Sequence, residues 1–171
     1  MSAPFQHTFD GAPGRPPLLE PGAAPATATT GISGVRFIDF RTIHDPSGNL
    51  TPIEERRDVP FDIRRVFFLY DVPGGAERGG HAHRSLEEVA IAVSGSFDVV
   101  VEDGTARARY SLNRAYYGLY LPPMVWLNLE NFSSNSVALV LASLPFDEGD
   151  YFRDRAEFLR IARGDAIAPA A

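Results

Sequence analysis

The 171-residue sequence contains no cysteine and no lysine, and each absence removes a class of chemistry. Without cysteine there can be neither a disulfide framework nor a thiolate metal site, a composition that fits a reducing cytoplasm, where we expect the protein to work. The 16 basic residues are all arginine. Schiff-base chemistry on a lysine is therefore excluded, and a bound phosphate would be held by guanidinium groups or backbone N–H groups.

Long apolar runs and an excess of positive charge are also missing. No run of apolar residues is long enough to span a membrane, and the N-terminus lacks the basic region and apolar block of a secretory signal. The net charge of -6 argues against nucleic acid as the partner. We therefore expect neither a membrane nor a nucleic-acid partner.

The composition divides the chain into three parts. Residues 1–33 are rich in Ala, Pro, Gly and Thr without a sustained period, which indicates a flexible N-terminal extension. Residues 34–164 carry about nine or ten short β-prone segments, a pattern typical of an all-β sandwich or barrel. Residues 165–171 are expected to form a fraying tail.

The predicted strands cover 35–40, 50–55, 63–70, 89–93, 96–101, 106–112, 116–121, 125–132 and 137–144. Residues 44–49 are rich in turn-forming types and predict a turn. Residues 150–163 place apolar side chains among charges, with Asp150 or Asp154 as a possible N-cap and Gly164 as a natural stop. This pattern predicts one short C-terminal helix.

The tripeptide His81-Ala82-His83 lies at the centre of the most regular pattern. Side chains two positions apart on a strand point to the same side, so both imidazoles would face one cavity. The spacing from Gly75 through the two histidines to Glu88 and Gly95 is G-x5-H-x-H-x4-E-x6-G. It resembles the first motif of the cupin superfamily. The resemblance implies an all-β cupin fold, a double-stranded β-helix or jelly-roll barrel whose reactive site lies in the barrel mouth.

A second cupin motif usually supplies a further metal-binding histidine, and its equivalent here, residues 118–131, contains none. His81, His83 and either Glu87 or Glu88 could still form a 2-His-1-carboxylate site, so a metal-dependent enzyme is one alternative. Without a metal, two imidazoles are well suited to moving protons near neutral pH, and Glu87 or Glu88 could select a tautomer. We expect this metal-free arrangement, with no cofactor.

Several blocks between residues 35 and 159 resemble the sugar 3,4-ketoisomerase group of cupins, the WxcM-like, FdtA/QdtA-type enzymes. The blocks are Ile53-Glu54-Glu55, Val59-Pro60-Phe61, Arg65-Val66, Arg78-Gly79, His81-Ala82-His83-Arg84, Val93-Ser94-Gly95-Ser96, Gly118-Leu119-Tyr120, Pro123-Met124-Val125-Trp126, Asn131-Phe132-Ser133, Val140-Leu141-Ala142-Ser143 and Asp150-Tyr151. The resemblance implies a metal-free isomerase of unusual deoxysugar biosynthesis. Its substrate would be a dTDP-linked keto sugar, dTDP-4-keto-6-deoxyglucose, whose ketone moves from C4 to C3 through an enediol.

The resemblance also implies roles for individual residues. His81 is expected to be the C3 base and His83 its partner in proton transfer, although the order of the two stays open. Arg78 is the first candidate for the diphosphate, followed by Arg65 and Arg84.

Aromatic and acidic candidates complete the expected site. Tyr120 and Trp126 could stack on the thymine or cover the sugar. Glu88 is placed with the histidines, and Tyr70 could donate a hydrogen bond to the enediol.

The resemblance further implies a strand-exchanged homodimer, in which residues 35–55 pair with a second subunit. Three positions depart from the family pattern: Phe67-Phe68 where a tyrosine is common, Leu127 where His or Arg is common, and Ser47 where a larger polar residue is common. These changes leave the configuration at C4 open. They also leave open two other functions, an epimerase or isomerase of another carbonyl sugar and a nucleotide-sugar-binding barrel without turnover.

Overall fold

The computed structural model describes residues 32–165, which fold into two five-stranded antiparallel sheets and one helix. In chain order the strands are β1 (Arg36–Asp39), β2 (Ile43–Asp45), β3 (Gly48–Leu50), β4 (Arg65–Leu69), β5 (Arg78–His83), β6 (Glu88–Ser94), β7 (Phe97–Glu102), β8 (Arg107–Leu112), β9 (Tyr117–Leu121), β10 (Trp126–Glu130), β11 (Val137–Ala142) and β12 (Tyr151–Phe152). A 3-10 turn (Glu148–Asp150) precedes β12, and helix α1 (Arg155–Ala162) follows it. The prediction of an all-β fold with a short C-terminal helix is confirmed.

The two sheets wind around each other as a double-stranded β-helix. The first sheet has the strand order β1-β9-β6-β11-β4, and the second has the order β12-β5-β10-β7-β8. From β4 to β12 consecutive strands alternate between the sheets, except at the β7–β8 hairpin. This is the winding of a jelly-roll barrel, so the predicted cupin fold is confirmed.

The interior between the sheets is apolar over most of its depth. Alternate residues of facing strands supply the main hydrophobic cluster, which includes Ala90, Leu119, Val99 and Leu129. At one end Phe97 stacks on Phe132 with ring centroids 5.2 Å apart. Fully burying side chains of this size contributes about 1.5–3 kcal/mol each, so this packing holds the two sheets together. The other end of the barrel carries the polar residues described below.

Two smaller clusters cover the outer faces of the sheets. Residues 53–63 place Val59 and Phe61 against Val89 and Ile91 on the first sheet. On the second sheet, Phe158 of α1 packs against an outer cluster that includes Ala82 of β5. Both sheets are therefore buried on their two faces along part of their length.

Helix α1 begins where a side chain can satisfy its free N–H groups. The Asp154 carboxylate accepts hydrogen bonds from the backbone N–H groups of Ala156 and Glu157, at 2.7 Å and 3.3 Å. After the helix, Gly164 adopts a φ of 71°, which glycine tolerates without steric cost. The capping prediction is confirmed for Asp154 and wrong for Asp150, and the helix is shorter than predicted.

The structure differs from the predicted elements most in residues 43–55. The predicted strand 50–55 was wrong in its bounds, because the chain forms a hairpin of β2 and β3 instead. The Asp45 carboxylate accepts a hydrogen bond from the backbone N–H of Ser47 at 2.8 Å, which stabilises a tight turn between the two strands. Beyond β3, Pro52 has no N–H group for a strand ladder.

The predicted extension, residues 1–33, lies outside the described residues except for its last two, and the tail after Asp165 lies outside them as well. In the described part of the chain no helix is long and apolar enough to cross a membrane.

Candidate active site

Two histidines of β5 face the open end of the barrel. The ring centroids of His81 and His83 lie 5.0 Å apart, and Ala82 between them faces the outer cluster under α1. Just before them, Gly79 has a φ of 86°, and a Cβ there would lie 2.8 Å from the carbonyl oxygen of Leu127. A glycine is required at this position because the backbone of β5 approaches β10 so closely. His81 and His83 thus lie on one face of β5 and Ala82 lies on the other, as the His-x-His spacing predicts.

His83 lies between two carboxyl groups. Its Nδ1 is 3.3 Å from Oδ2 of Asp150, and its Nε2 is 3.8 Å from Oε1 of Glu88. Asp150 is itself held in place, because its oxygens accept hydrogen bonds from the backbone N–H groups of Ser85 and Leu86 at 2.9 Å and 3.1 Å. Neither ring nitrogen of His83 has a well-aligned hydrogen bond within the described chain, so the contact with Asp150 is electrostatic in this state.

Burial sets the protonation states of this cluster. It lowers the pKa of His81, and burial together with the neighbouring His81 lowers the pKa of His83 to about 4. Burial raises the pKa of Glu88, whose side chain is almost completely enclosed, to about 7. Both imidazoles are consequently neutral at physiological pH and able to accept a proton, and a proton is held on Glu88 up to about neutral pH.

Arg65 faces the histidines from the opposite sheet. It is in register with Ala142 of β11, which is in turn in register with Glu88 of β6. After burial, the charge of Arg65 is the next influence on Glu88 and lowers its pKa. The guanidinium packs on the rings of Phe67 and Phe146, at 5.2 Å and 5.6 Å from their centroids. Within residues 32–165 it forms no ion pair, and its buried Nε has no hydrogen-bond partner, so it can bind an anionic ligand.

A metal ion could be held at the same place. His81, His83 and Glu88 each offer a ligand atom, and these atoms lie within 4.8 Å of one another. That donor set suits a 2-His-1-carboxylate centre. However, the positive charge of Arg65 also acts on this cluster and lowers the pKa of both histidines, after burial and nearer groups. A neighbouring cation opposes the binding of a divalent ion. The donor set is therefore suited to a metal, whereas the nearby positive charge is not.

The family of the chain follows from comparison with known proteins. The family model FdtA, described as WxcM-like, C-terminal, matches residues 33–163. The chain belongs to the FdtA family.

Relatives of this FdtA-family chain are sugar-nucleotide isomerases. It is 41% identical over 123 residues to a TDP-4-oxo-6-deoxy-alpha-D-glucose-3,4-oxoisomerase of Aneurinibacillus thermoaerophilus. The matched residues make up 72% of this chain and 88% of the relative. The structure of QdtA, a sugar 3,4-ketoisomerase from Thermoanaerobacterium thermosaccharolyticum in complex with TDP, superposes with a TM-score of 0.77 and 36% identity, over 80% of this chain and 100% of QdtA. WlaRB, a TDP-quinovose 3,4-ketoisomerase of Campylobacter jejuni, gives a TM-score of 0.73 and 40% identity, over 75% of this chain and 99% of WlaRB.

In this FdtA-family barrel, two predicted aromatic residues lie away from the imidazoles. Tyr120 packs on the outer face of the first sheet and donates a hydrogen bond to Glu87 at 2.5 Å; its burial and this bond raise its pKa to about 12. Trp126 precedes Leu127, which pairs with His81, so its side chain points to the opposite face and packs 5.7 Å from Phe158. Neither side chain faces the imidazoles, because each strand alternates its side chains between two faces and both residues lie on the outer one. Their contact with the sugar or the thymine stays a prediction.

Three further predicted residues also lie outside the cluster. Arg78 is exposed at the start of β5, and Arg84 is exposed with its guanidinium 3.8 Å from the ring of Phe152, on the outer face of the second sheet. Tyr70 lies beyond the end of β4 and is 67% exposed, beside Phe68. The structure thus brings together four of the nine predicted site residues, which are His81, His83, Glu88 and Arg65.

Sequence reasoning missed three residues of the barrel mouth. Asp150 was considered only as a helix cap, whereas it contacts His83. Tyr151 packs on both imidazoles, and Phe146 lies 5.6 Å from Tyr151 at the rim. The pairing of β12 with β5 places Tyr151 and its neighbour Asp150 there, and Phe146 contacts Tyr151 from the segment before the 3-10 turn. The family block Asp150-Tyr151 was the available signal for two of these residues.

Proposed function

We propose that this chain is a 3,4-ketoisomerase of a dTDP-linked 4-keto-6-deoxyhexose, and that it works in deoxysugar biosynthesis. The observation that carries the proposal is the pair of neutral imidazoles at the mouth of a barrel whose relatives are named as TDP-sugar 3,4-ketoisomerases. Proton abstraction next to a carbonyl needs a base that is unprotonated at neutral pH, and a buried neutral histidine meets that need.

The proposed reaction moves protons and leaves the carbon skeleton unchanged. His81 removes the proton from C3, and the electrons of that bond form an enediol with C4. His83, oriented by Asp150, exchanges protons with His81, and a proton returns at C4. The C4 oxygen then becomes a hydroxyl, the C3 oxygen becomes the ketone, and no cofactor is consumed.

The diphosphate of the substrate is proposed to bind Arg65. Its guanidinium lies beside the imidazoles and carries no carboxylate partner within the described chain, unlike Arg64, which pairs with Asp62. Arg78 and Arg84 remain secondary candidates because both are exposed at other parts of β5 and its following turn. For the flat thymine ring, Phe146 replaces Tyr120 and Trp126 as the proposed stacking partner. It is 62% exposed at the rim and flanked by Arg65.

We also propose that two copies associate by exchanging strands. The β2–β3 hairpin is a separate two-stranded sheet within the described chain, and Leu50 at its end is 57% exposed. An isolated hairpin is marginally stable in water, so a partner surface would stabilise it. The edge strand β4 offers such a surface, because Val66 and Phe68 are exposed on its outer face.

Sedimentation velocity tests the dimer directly. We expect the wild-type protein to sediment as a species of twice the mass of one chain. We expect Phe68→Glu to shift the distribution toward the monomer. A monomeric wild type would contradict the proposal. A cytoplasmic location is a further proposal and rests on the lack of cysteine in the sequence.

Incubation with dTDP-4-keto-6-deoxyglucose in D2O tests the function. We expect a 3-keto product that carries deuterium at C4, and we expect His81→Asn and His83→Asn to lose at least about 100-fold in rate, because asparagine keeps hydrogen-bonding capacity but is not basic. Absence of both product and deuterium at every enzyme concentration would indicate a binding protein. Deuterium with inversion at a carbon and no ketone transfer would indicate an epimerase.

A further inference from the structure

The residue pair Tyr151 and His83 is the closest aromatic contact of the candidate site. The two residues are directly opposite in the antiparallel pairing of β12 and β5, so their side chains lie on the same inner face. Their ring centroids are 4.2 Å apart, and the ring of Tyr151 is also 5.0 Å from that of His81. One phenol therefore contacts both proposed proton-transfer groups.

A cation packs on the ring of Tyr151. The guanidinium of Arg153 lies 4.1 Å from the Tyr151 centroid. Arg153 is fixed in turn by two hydrogen bonds to Glu148, each 2.9 Å long. Two long side chains thus serve to orient a ring that packing alone would leave freer, which fits a residue whose hydroxyl position matters.

The hydroxyl of Tyr151 is available to a ligand. The side chain is half-buried at the barrel mouth, and its oxygen forms no hydrogen bond within residues 32–165. The contrast with Tyr117 and Tyr120 is clear, because their hydroxyls are bonded to Asn113 and Glu87. Tyr116 is also half-buried with an unbonded hydroxyl, so the distinguishing feature of Tyr151 is its position against both imidazoles, where its hydroxyl can bond to a molecule that enters the cup.

The proposed isomerisation needs more than the two histidines supply. Moving a ketone from C4 to C3 transfers one hydrogen between carbons and also moves one proton from the C3 oxygen to the C4 oxygen. The imidazoles account for the carbon-bound hydrogen. A second group that can both donate and accept a proton is needed for the oxygens, and a phenol has both capacities.

We propose that Tyr151 is a further catalytic residue, which carries the oxygen-bound proton of the reaction. This inference rests on the proposed function. As the base removes the C3 proton, the phenol donates its proton to the C4 oxygen. The resulting phenolate accepts the proton of the C3 hydroxyl, while the protonated base returns a proton to C4. The C3–H and C3–O–H bonds break, the C4–H and C4–O–H bonds form, and enzyme and charge are restored.

The variant Tyr151→Phe tests the proposal because it removes only the hydroxyl and keeps the ring against the imidazoles. We expect kcat to fall by about 100-fold or more, with KM within about threefold of wild type. In D2O, the variant should lose less of the rate of hydrogen exchange at C3 than of the rate of ketone transfer. Recovered 4-keto substrate should therefore gain deuterium at C3 at a higher rate, relative to isomerisation, than with wild type.

The matched control is Tyr116→Phe. Tyr116 is also half-buried without a hydrogen bond from its hydroxyl, and it precedes β9 at the end away from Leu121, the residue paired with Glu88. We expect wild-type turnover from this control. Binding of dTDP by Tyr151→Phe, measured by calorimetry, will show whether that variant is folded.

Two results would overturn the proposal. One is turnover of Tyr151→Phe within about threefold of wild type, and the other is an equal loss of exchange and isomerisation, which a merely structural role would produce. Failure of the proposed function looks different, because wild type itself would then neither isomerise the sugar nor exchange its C3 hydrogen.

Discussion

The Nδ1 atom of His83 lies 3.3 Å from a carboxylate oxygen of Asp150, a residue that is distant in sequence but fixed beside the imidazole. Two backbone N–H groups, from Ser85 and Leu86, hold that carboxylate. A carboxylate at Nδ1 favours the tautomer with the proton on that nitrogen, so Nε2 is left free to accept a proton. Asp150 is thereby a positioning residue for His83.

The variant Asp150→Asn is expected to lower kcat by about 10- to 100-fold, because the orientation and tautomer of His83 are no longer enforced. The charge of Asp150 also raises the pKa of His83 against the larger effect of burial. Its removal should therefore move the acidic limb of the kcat/KM profile to lower pH. Asp154→Asn is the matched control, since asparagine caps helices about as well as aspartate. An unchanged rate and profile in Asp150→Asn would contradict this role.

The buried carboxyl of Glu88 predicts a pH-dependent stability difference. Its pKa is raised from 4.5 to about 7 by burial, so the folded state binds more protons than the unfolded state between these values. The stability it contributes is present below pH 4.5 and is lost as pH rises through 7. Glu88→Gln cannot ionise and should gain about 2–3 kcal/mol relative to wild type between pH 5 and pH 8.

Urea unfolding at several pH values measures that difference. His83 contributes in the opposite direction, because its pKa is lowered and its stabilising effect is lost as pH falls from 6.5 to about 4. His83 is present in both proteins, so its contribution to the free energy of unfolding largely cancels in the difference between them. A difference between Glu88→Gln and wild type that stays constant from pH 5 to pH 8 would show that Glu88 is ionised in the folded state.

Arg65→Gln is expected to weaken dTDP binding by about 10- to 100-fold, because a charge-assisted hydrogen bond is worth about 1.5–3 kcal/mol. Arg64→Gln is an adjacent control, since Arg64 is exposed and its guanidinium lies 3.3 Å from Asp62. Isothermal calorimetry with dTDP measures both. If Arg65→Gln bound dTDP normally and lost only kcat, the guanidinium would act on the enediolate rather than on the diphosphate.

Removal of divalent metals is expected to leave activity unchanged. The proposed chemistry uses only protein groups, and Arg65 already supplies a positive charge beside His81, His83 and Glu88. Activity is measured after dialysis against EDTA, with elemental analysis of the same sample. Loss of activity that a divalent ion restores would instead support a 2-His-1-carboxylate centre.

Several features of the site were readable in the sequence because they depend on local geometry. The His-x-His spacing places His81 and His83 on one face of a strand, and β5 has that alternation. Asp154 and Gly164 mark the ends of α1 through local hydrogen bonds and backbone conformation. The family blocks also predicted the cupin fold. The alternation of consecutive strands between the two sheets confirms that prediction.

The sequence analysis did not assign Tyr120 and Trp126 to one face of their sheets. All five residues of β9 are buried, since the sheet is covered on both faces, by the barrel interior and by residues 53–63. A strand buried on both faces shows no apolar–polar alternation, so its sequence does not tell which residues point inward. Tyr120 therefore looks the same in the sequence whether it faces substrate or core. Trp126 is different, because β10 alternates and places Trp126 on the face of Asn128 and Glu130, opposite Leu127 and Leu129.

What the sequence determined by itself was the chemistry of β5, namely two imidazoles on one face with arginine as the sole basic side chain available to an anion. What only the tertiary structure decided was their surroundings. Pairing of β12 with β5 joins Asp150 and Tyr151 to His83, and pairing across β11 brings Arg65 beside Glu88. These contacts join residues far apart in the chain, so no local pattern encodes them, and they exist only once both sheets have closed around the mouth.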